Sequence, residues 1–76
     1  MDRSYASASE SIWRCFRKYM NENLRLFNQS EWERCLNDLD ETRKKYEGTE
    51  AEYYALRYAC ACKDELVRLS EIYRNQ

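Results

Sequence analysis

Residues 50–74 read EAEYYALRYACACKDELVRLSEIYR, and the pattern in this segment determines the architecture of the chain. Its apolar side chains recur at alternating spacings of four and three residues, and they are Ala55, Ala59, Cys62, Leu66, Leu69 and Tyr73. Such a spacing puts all of them on one face of an α-helix, as in the seam of a coiled coil. An apolar helix face must be buried against another element. The segment therefore predicts a long helix that packs against other helices.

The same helical period is present in the two segments that precede it. In residues 8–27 the apolar face consists of Ile12, Phe16, Tyr19, Met20, Leu24 and Phe27. In residues 31–47 it consists of Trp32, Cys35, Leu36, Leu39 and Tyr46. Short links make consecutive helices antiparallel neighbours. We therefore predict an all-α fold, a small antiparallel three-helix bundle of up-down-up topology, with helices at about 8–27, 31–47 and 50–74.

Capping-box patterns mark the predicted start of each helix. Each pattern joins a hydroxyl residue to a glutamate three residues later, and the pairs are Ser7 with Glu10, Ser30 with Glu33, and Thr49 with Glu52. In a capping box these side chains bond the backbone N–H groups that the start of a helix leaves unpaired. Gly48 is the single glycine, and it stands where a left-handed residue is expected to end the second helix.

The composition excludes several classes of protein. The chain has 76 residues, enough for one small domain over residues 1–76. One glycine and no proline cannot supply the turns of a sheet protein or a phosphate-binding loop, and no apolar run is long enough to span a membrane. Because histidine is absent as well, we expect no enzyme activity, cofactor, metal site or small-molecule substrate. We expect cytoplasmic localisation, since the first ten residues lack the pattern of a secretory leader.

Four cysteines are present, Cys15, Cys35, Cys60 and Cys62, and their spacing matches no common zinc motif. Cys60 and Cys62 are two residues apart, so their thiols point to different sides of a helix and cannot share one metal or redox centre. Counting residues in both directions from the turn at Gly48 places Cys35 and Cys62 at the same height on neighbouring antiparallel helices. No other cysteine is predicted at the height of Cys15. Buried free thiols and a single disulfide between Cys35 and Cys62 both fit this arrangement.

The third helix carries a wide apolar arc, which covers roughly two thirds of its circumference. One interpretation is that this helix lies between the other two and buries the whole arc. The other is that part of the arc faces a partner protein or a second copy of the chain, and tyrosine is well suited to such a contact. On that interpretation the face that meets the partner is either Leu56, Cys60 and Val67, on one side of the arc, or Tyr54 and Tyr58, on the other, and all five are predicted partner-binding residues.

The function predicted from these features is a non-enzymatic protein–protein interaction module, an assembly subunit, adaptor or inhibitor that docks its third helix on a larger protein or on itself. One variant is an inhibitor from a phage or another mobile element that blocks a host defence complex. A first alternative is a nucleic-acid-binding module. Its contacts would be the basic residues predicted on helix 1, Arg14, Arg17, Lys18 and Arg25. A second alternative is a redox-tuned assembly factor that uses the cysteines.

Overall fold

Three α-helices form the part of the chain that the computed structural model describes, residues 3–75. They are α1 (Ser4–Met20), α2 (Gln29–Lys44) and α3 (Glu52–Arg74), and a short 3₁₀ turn at Leu24–Leu26 lies between α1 and α2. No strand is present among the described residues. The prediction of an all-α fold with three helices is confirmed.

Contacts between the helices give their directions. Tyr46, just beyond α2, is hydrogen-bonded to Ser7 near the start of α1, whereas Tyr19 near the end of α1 donates a hydrogen bond to Asp38 in the middle of α2. α1 and α2 therefore run in opposite directions. Tyr54, near the start of α3, contacts the first turns of α1, so α3 runs parallel to α1. The result is a rod of 45 × 17 × 16 Å.

The core is a thin seam to which every helix contributes. The largest fully buried side chains are Ile12, Tyr19, Cys35, Leu39 and Leu66. α3 adds Ala55 and Ala59, which are wholly buried and bring nothing larger than a methyl group to the interior. At the other end of the predicted α3 seam, Leu69 and Tyr73 are half-buried against this core.

α1 begins and ends earlier than the sequence pattern predicts. Its start lies ahead of the predicted one because Ser7 does not cap the helix, and the Ser7 hydroxyl instead lies 2.9 Å from the Tyr46 hydroxyl. α1 ends at Met20, short of the predicted residue 27. Beyond it the side chain of Asn23 accepts a hydrogen bond from the Arg25 backbone N–H at 3.3 Å and opens the 3₁₀ turn. An asparagine that bonds the local backbone competes with helix continuation in this way.

The capping box of α2 lies two residues ahead of the predicted one. The side-chain oxygen of Asn28 accepts the Glu31 backbone N–H at 2.9 Å, and the Glu31 carboxylate accepts the Asn28 backbone N–H at 3.2 Å. Asparagine caps a helix as well as serine does, so this pair replaces the box predicted at Ser30 and Glu33. Glu33 instead accepts a hydrogen bond from the Gln29 side chain.

The link between α2 and α3 turns at Gly48, whose φ of +82° confirms the predicted left-handed conformation. α2 ends at Lys44, short of the predicted residue 47, and turn residues follow it. The third predicted capping box does not cap α3. The Thr49 hydroxyl donates to the Tyr46 carbonyl oxygen at 2.6 Å, and the Glu52 carboxylate accepts the Gly48 backbone N–H at 3.1 Å. Both side chains stabilise the turn, and α3 begins after it.

Tyr46 ties α1 to the end of α2. Its hydroxyl donates to the Ser7 carbonyl oxygen at 3.0 Å and lies 2.9 and 2.7 Å from the hydroxyls of Ser7 and Ser11. We expect Tyr46→Phe to lower the free energy of unfolding by about 1–2 kcal/mol, because these part-buried groups lose their partner. Urea unfolding followed by circular dichroism measures the change. The matched control is Tyr53→Phe, since Tyr53 is 72% exposed, and an equal loss in both variants would contradict this role.

Candidate functional site

The residues predicted to bind a partner lie on two opposite flanks of α3. Tyr54 faces α1, where its ring centroid lies 5.5 Å from that of Tyr5. On the other flank Lys63 reaches α2, and its ammonium lies 3.5 Å from the Asp40 carboxylate. Helical spacing divides the predicted residues into Tyr54 and Tyr58 on the α1 side and Leu56, Cys60 and Val67 on the α2 side. The two groups therefore belong to different surfaces.

An ionic cluster crosses the α2 side of α3. The Asp40 carboxylate lies 3.1 Å from the Arg43 guanidinium and 3.5 Å from the Lys63 ammonium. Desolvation opposes ionisation of Asp40, but the hydrogen bond from Arg43 and the surrounding cations outweigh it and lower the pKa of this carboxyl. Leu56 and Val67 lie before and after Lys63 along the helix. Charged side chains therefore separate the apolar residues on this flank.

Aromatic side chains line the α1 side, and we call them the aromatic strip: Tyr5, Trp13, Phe16, Tyr54 and Tyr58. The ring centroid of Tyr54 lies 5.5 Å from that of Tyr5 and 6.0 Å from that of Tyr58. The centroids of Trp13 and Phe16 lie 6.1 Å apart. These separations fall in the range of roughly 4.5–7 Å that is favourable for aromatic pairs. The strip is thus two groups of rings, each held by its own contacts.

The two groups lie side by side across the junction of α1 and α3. The Tyr54 hydroxyl is 2.5 Å from the Ser9 hydroxyl, and because the two helices are parallel, Trp13 and Tyr58, one turn further along each, are also level. Trp13 is 49% exposed and Tyr54 is 37% exposed, whereas Tyr58 is half-buried. Desolvation raises the pKa of Tyr58, so its hydroxyl stays protonated at neutral pH. The strip is therefore an uncharged surface whose residues Trp13 and Tyr54 are exposed to solvent.

Unpaired positive charge borders the strip. Arg17 follows Trp13 by one turn of α1, and Arg57 follows Tyr54 by three residues on α3, so each arginine lies next to an exposed ring. Neither arginine forms an ion pair with any residue of the range 3–75. Both guanidinium groups are therefore available to a partner.

Two acidic side chains near the strip are paired within their own helices. Glu10 lies 2.5 Å from Arg14 on α1, and Glu65 lies 2.5 Å from Arg68 on α3. The hydrogen bond from Arg68 lowers the pKa of Glu65. Exposed pairs of this kind add little to stability. They do neutralise Glu10 and Glu65, so neither carboxylate competes for the guanidinium groups of Arg17 and Arg57.

Sequence reasoning finds the α3 half of the strip and misses the α1 half. Tyr5 lies ahead of the predicted first helix, and Trp13 is not among the predicted contact residues. A signal was nevertheless present, because Tyr5, Ser9 and Trp13 recur at spacings of four residues beside the stripe that contains Ile12. A second stripe next to the core stripe indicates a second surface on the same helix.

The basic residues predicted on helix 1 do not form one surface. Arg14 is paired within α1, and Lys18 lies 3.8 Å from Asp38 on the α2 side. Arg25 lies outside α1 in the 3₁₀ turn, so its placement on helix 1 is wrong, for the reason that α1 ends before it. Among the four, Arg17 borders the aromatic strip.

All four cysteines are free thiols. Cys35 and Cys62 are buried, and desolvation raises the pKa of these thiols to about 12 and about 11. Desolvation also raises the pKa of Cys15, although a hydrogen bond with Thr42 opposes the shift. A smaller electrostatic effect of Cys15 adds to the raised pKa of both buried thiols. Thiols with a raised pKa are poor nucleophiles at neutral pH.

Within residues 3–75, no group of three or more cysteine, aspartate or glutamate side chains is placed to hold a metal ion. None of the helices in this range combines the length and the apolar character that crossing a lipid bilayer requires. Comparisons of the chain with protein-family models, with curated proteins and with solved structures find no match.

Proposed function

We propose that the chain is a non-enzymatic protein–protein interaction module whose aromatic strip binds an acidic amphipathic helix of a larger protein. The observation that carries this proposal is the exposure of Tyr5, Trp13 and Tyr54, which is 37–49% along the junction of α1 and α3. Tryptophan and tyrosine supply a large share of binding energy at protein interfaces. An assembly subunit, an adaptor or an inhibitor would use such a surface.

The shape of the strip favours a helical ligand. It lies between two parallel helices and extends from Tyr5 to Phe16, about 16 Å along α1 at 1.5 Å per residue. That length matches about three turns of a bound helix. An amphipathic helix bound to such a surface presents apolar side chains at positions i, i+3, i+4 and i+7. The partner segment we propose has that pattern.

The edge of the strip favours an acidic ligand over a second copy. Arg17 and Arg57 are unpaired within residues 3–75, so carboxylates on the partner would meet guanidinium groups that have no competing partner. A symmetric dimer through the strip would place two positive edges in one interface, since both copies contribute the same surface. Charge complementarity therefore supports an acidic partner protein.

The proposal keeps Tyr54 and Tyr58 as contact residues and leaves out Leu56, Cys60 and Val67. The ionic cluster at Asp40 interrupts the flank on which those three lie, whereas on the α1 side the ring of Tyr54 contacts that of Tyr5 across the two helices. We also propose that the protein acts in the cytoplasm, because four free thiols suit a reducing compartment.

Trp13→Ala is expected to weaken binding of an acidic amphipathic peptide by about thirtyfold, the effect of losing an interface residue worth about 2 kcal/mol. The peptide is a fluorescein-labelled helix of about 18 residues with leucine and phenylalanine on one face and glutamate on the other. Fluorescence anisotropy gives its Kd. Helical content is expected to be unchanged, because Trp13 is half exposed.

The matched controls test the surface and its charge separately. Leu56→Ala removes a side chain that is 36% exposed on the opposite flank, and the Kd is expected to change by less than about twofold. Replacing Arg17 and Arg57 together by glutamate is expected to transfer the preference to the same peptide with lysine in place of glutamate. Equal binding of both peptides to the unmodified chain would contradict the proposal. Tight binding of a single-stranded oligonucleotide instead of the peptide, abolished by salt, would favour the nucleic-acid alternative.

In cells of the source organism, a photoreactive residue in place of Trp13 is expected to give a crosslink that the same residue in place of Leu56 does not give. The crosslinked protein is expected to contain an acidic amphipathic helix at the attachment point. A crosslink between two copies of the chain would instead assign the strip to self-association.

A further inference from the structure

A pocket at the far end of the bundle has the chemistry of an anion site. It has a volume of about 200 Å³ and opens between the 3₁₀ turn, the first turn of α2 and the last turns of α3. Two arginines, Arg25 and Arg74, are among the residues that line it, together with the aromatic residues Phe27, Trp32 and Tyr73. We call this space the end pocket.

The charge balance separates the end pocket from the groove between α1 and α2. That groove is larger, about 440 Å³, and its cations are Arg14, Lys18 and Lys45. Two carboxylates, Asp38 and Glu41, lie among them. The lining of the end pocket contains no acidic residue. An anion that enters the end pocket therefore meets positive groups without a competing carboxylate in the wall.

The N–H groups of the residues that line the end pocket are available to bond a ligand. Neither Arg25 nor Arg74 forms an ion pair with a residue of the described range, and the Arg25 guanidinium lies 5.9 Å from the centre of the Tyr73 ring. This contact holds the guanidinium by a cation–π interaction and uses none of its N–H donors. The Gln29 amide donates one hydrogen bond to Glu33 at 3.3 Å and has a second N–H to offer.

Aromatic rings form the apolar wall. The centroids of Phe27 and Trp32 lie 5.3 Å apart in an edge-to-face arrangement, and Trp32 is 8% exposed. These contacts fix the two rings, so the wall is preformed. A cavity of about 150 Å³ is enough to hold benzene in an engineered protein, so the end pocket has room for one ring and a substituent.

We propose that the end pocket binds an oxyanion, a carboxylate or a phosphate, carried on an aromatic ring. Planar guanidinium groups bind both oxyanions through paired N–H donors. The ring of the ligand packs against Phe27 and Trp32 while its oxyanion lies between Arg25 and Arg74. This site is independent of the aromatic strip, so its failure would leave the proposed function unaffected.

The two tryptophans of the chain provide a reporter and an internal control. In ¹⁵N–¹H NMR spectra of the full chain, phenyl phosphate or benzoate is expected to shift the indole N–H signal of Trp32 and to leave that of Trp13 in place. Inorganic phosphate and phenol are each expected to bind at least about tenfold more weakly, because each lacks one half of the recognised group. The tighter of the two aromatic anions identifies the oxyanion that the site prefers.

Substitutions test the arginines. Arg25→Gln and Arg74→Gln are each expected to raise the Kd for the tighter anion at least about tenfold, and Arg25→Lys to give an intermediate value because it keeps the charge and loses the paired donors. Arg3→Gln is the matched control, since it makes the same change in net charge away from the end pocket. The NMR spectra of the variants show that they are folded. Equal shifts of Trp32 and Trp13, equal binding of phenol, or an equal loss in Arg3→Gln and Arg25→Gln would overturn the proposal.

Discussion

Leu66→Ala is expected to leave the chain largely unfolded at room temperature. Leu66 is fully buried and is among the largest side chains of the core. Replacing a buried leucine by alanine costs about 2–5 kcal/mol, through lost transfer free energy and the cavity that remains. The core of a domain this small supplies only about 3–5 kcal/mol in all. The substitution therefore removes most of the stability. Circular dichroism at 222 nm, recorded against temperature and urea, measures the loss.

The same chemical change on the surface provides the control. Leu26 lies in the 3₁₀ turn and is 77% exposed, so Leu26→Ala is expected to change the free energy of unfolding by less than about 0.5 kcal/mol. The contrast between two Leu→Ala substitutions isolates burial from side-chain chemistry. A Leu66→Ala chain with the melting temperature of the unmodified protein would show that the seam of α3 is not the source of stability.

Alkaline unfolding is the second large effect expected, with a midpoint at about pH 10–11. The thiol pKa values of Cys35 and Cys62 rise from the ordinary 9.0 to about 12 and about 11 in the folded chain. A raised pKa means that the folded chain binds the proton more tightly than the unfolded chain does. Stability is therefore complete below pH 9 and falls as the pH rises above it. Between pH 9 and its own raised pKa, each thiol lowers the free energy of unfolding by roughly 1.4 kcal/mol per pH unit.

Tyr19 adds to the loss of stability above pH 10. Desolvation and its hydrogen bond to Asp38 raise its pKa above the ordinary 10.0, so the folded chain resists ionisation of this phenol as well. The measurement is urea unfolding at a series of pH values between 7 and 11 in the presence of a reducing agent, with a return to neutral pH to show reversibility.

Removing one buried thiol isolates the cause of the alkaline loss. In Cys62→Ala the free energy of unfolding is expected to fall about half as steeply between pH 9 and 10, where Tyr19 does not yet contribute, because one of the two strongly shifted thiols is gone. The slope is the readout, since the substitution also changes packing and lowers stability at every pH. A free energy of unfolding that stays constant from pH 8 to 11 would contradict the burial of these thiols.

The helices could be predicted from sequence because their apolar period is strong and continuous. In α3 the alternation of four and three residues leaves one choice of buried face, and Ala55, Cys62 and Leu66 are buried as predicted. The helix ends were less predictable. A serine or threonine followed three residues later by glutamate is common in a charged sequence, and Asn28 with Glu31 satisfies the same chemistry two residues ahead of Ser30.

The first predicted cap failed for a different reason. The Ser7 hydroxyl is bonded to Tyr46, which is 39 residues away in sequence. A contact at that distance depends on how the helices are assembled, and local sequence contains no information about it. The start of α1 at Ser4 could not be predicted for the same reason, because a Ser7 side chain that is bonded to Tyr46 does not cap a helix at that position.

The α3 half of the candidate site could be predicted from the sequence, and the α1 half could not. The wide apolar arc of α3 correctly indicated aromatic residues outside the core seam, and Tyr54 and Tyr58 belong to the strip. Which flank of α3 meets α1 depends on the handedness of the bundle, and helical periodicity is identical for both hands. Sequence alone therefore separates Tyr58 from Leu56 and Val67 by helical spacing, but it could not show which of the two groups lies beside Trp13.

The two buried alanines of α3 have a consequence for the aromatic strip. Ala55 and Ala59 bring only methyl groups to the interior, so the positions that α3 buries at that level contain none of its aromatic side chains. Tyr54 and Trp13 lie beside this seam and not in it, and they are 37% and 49% exposed. An exposed aromatic surface is the counterpart of a core built from such small side chains, and it persists as long as the spacing between the helices does.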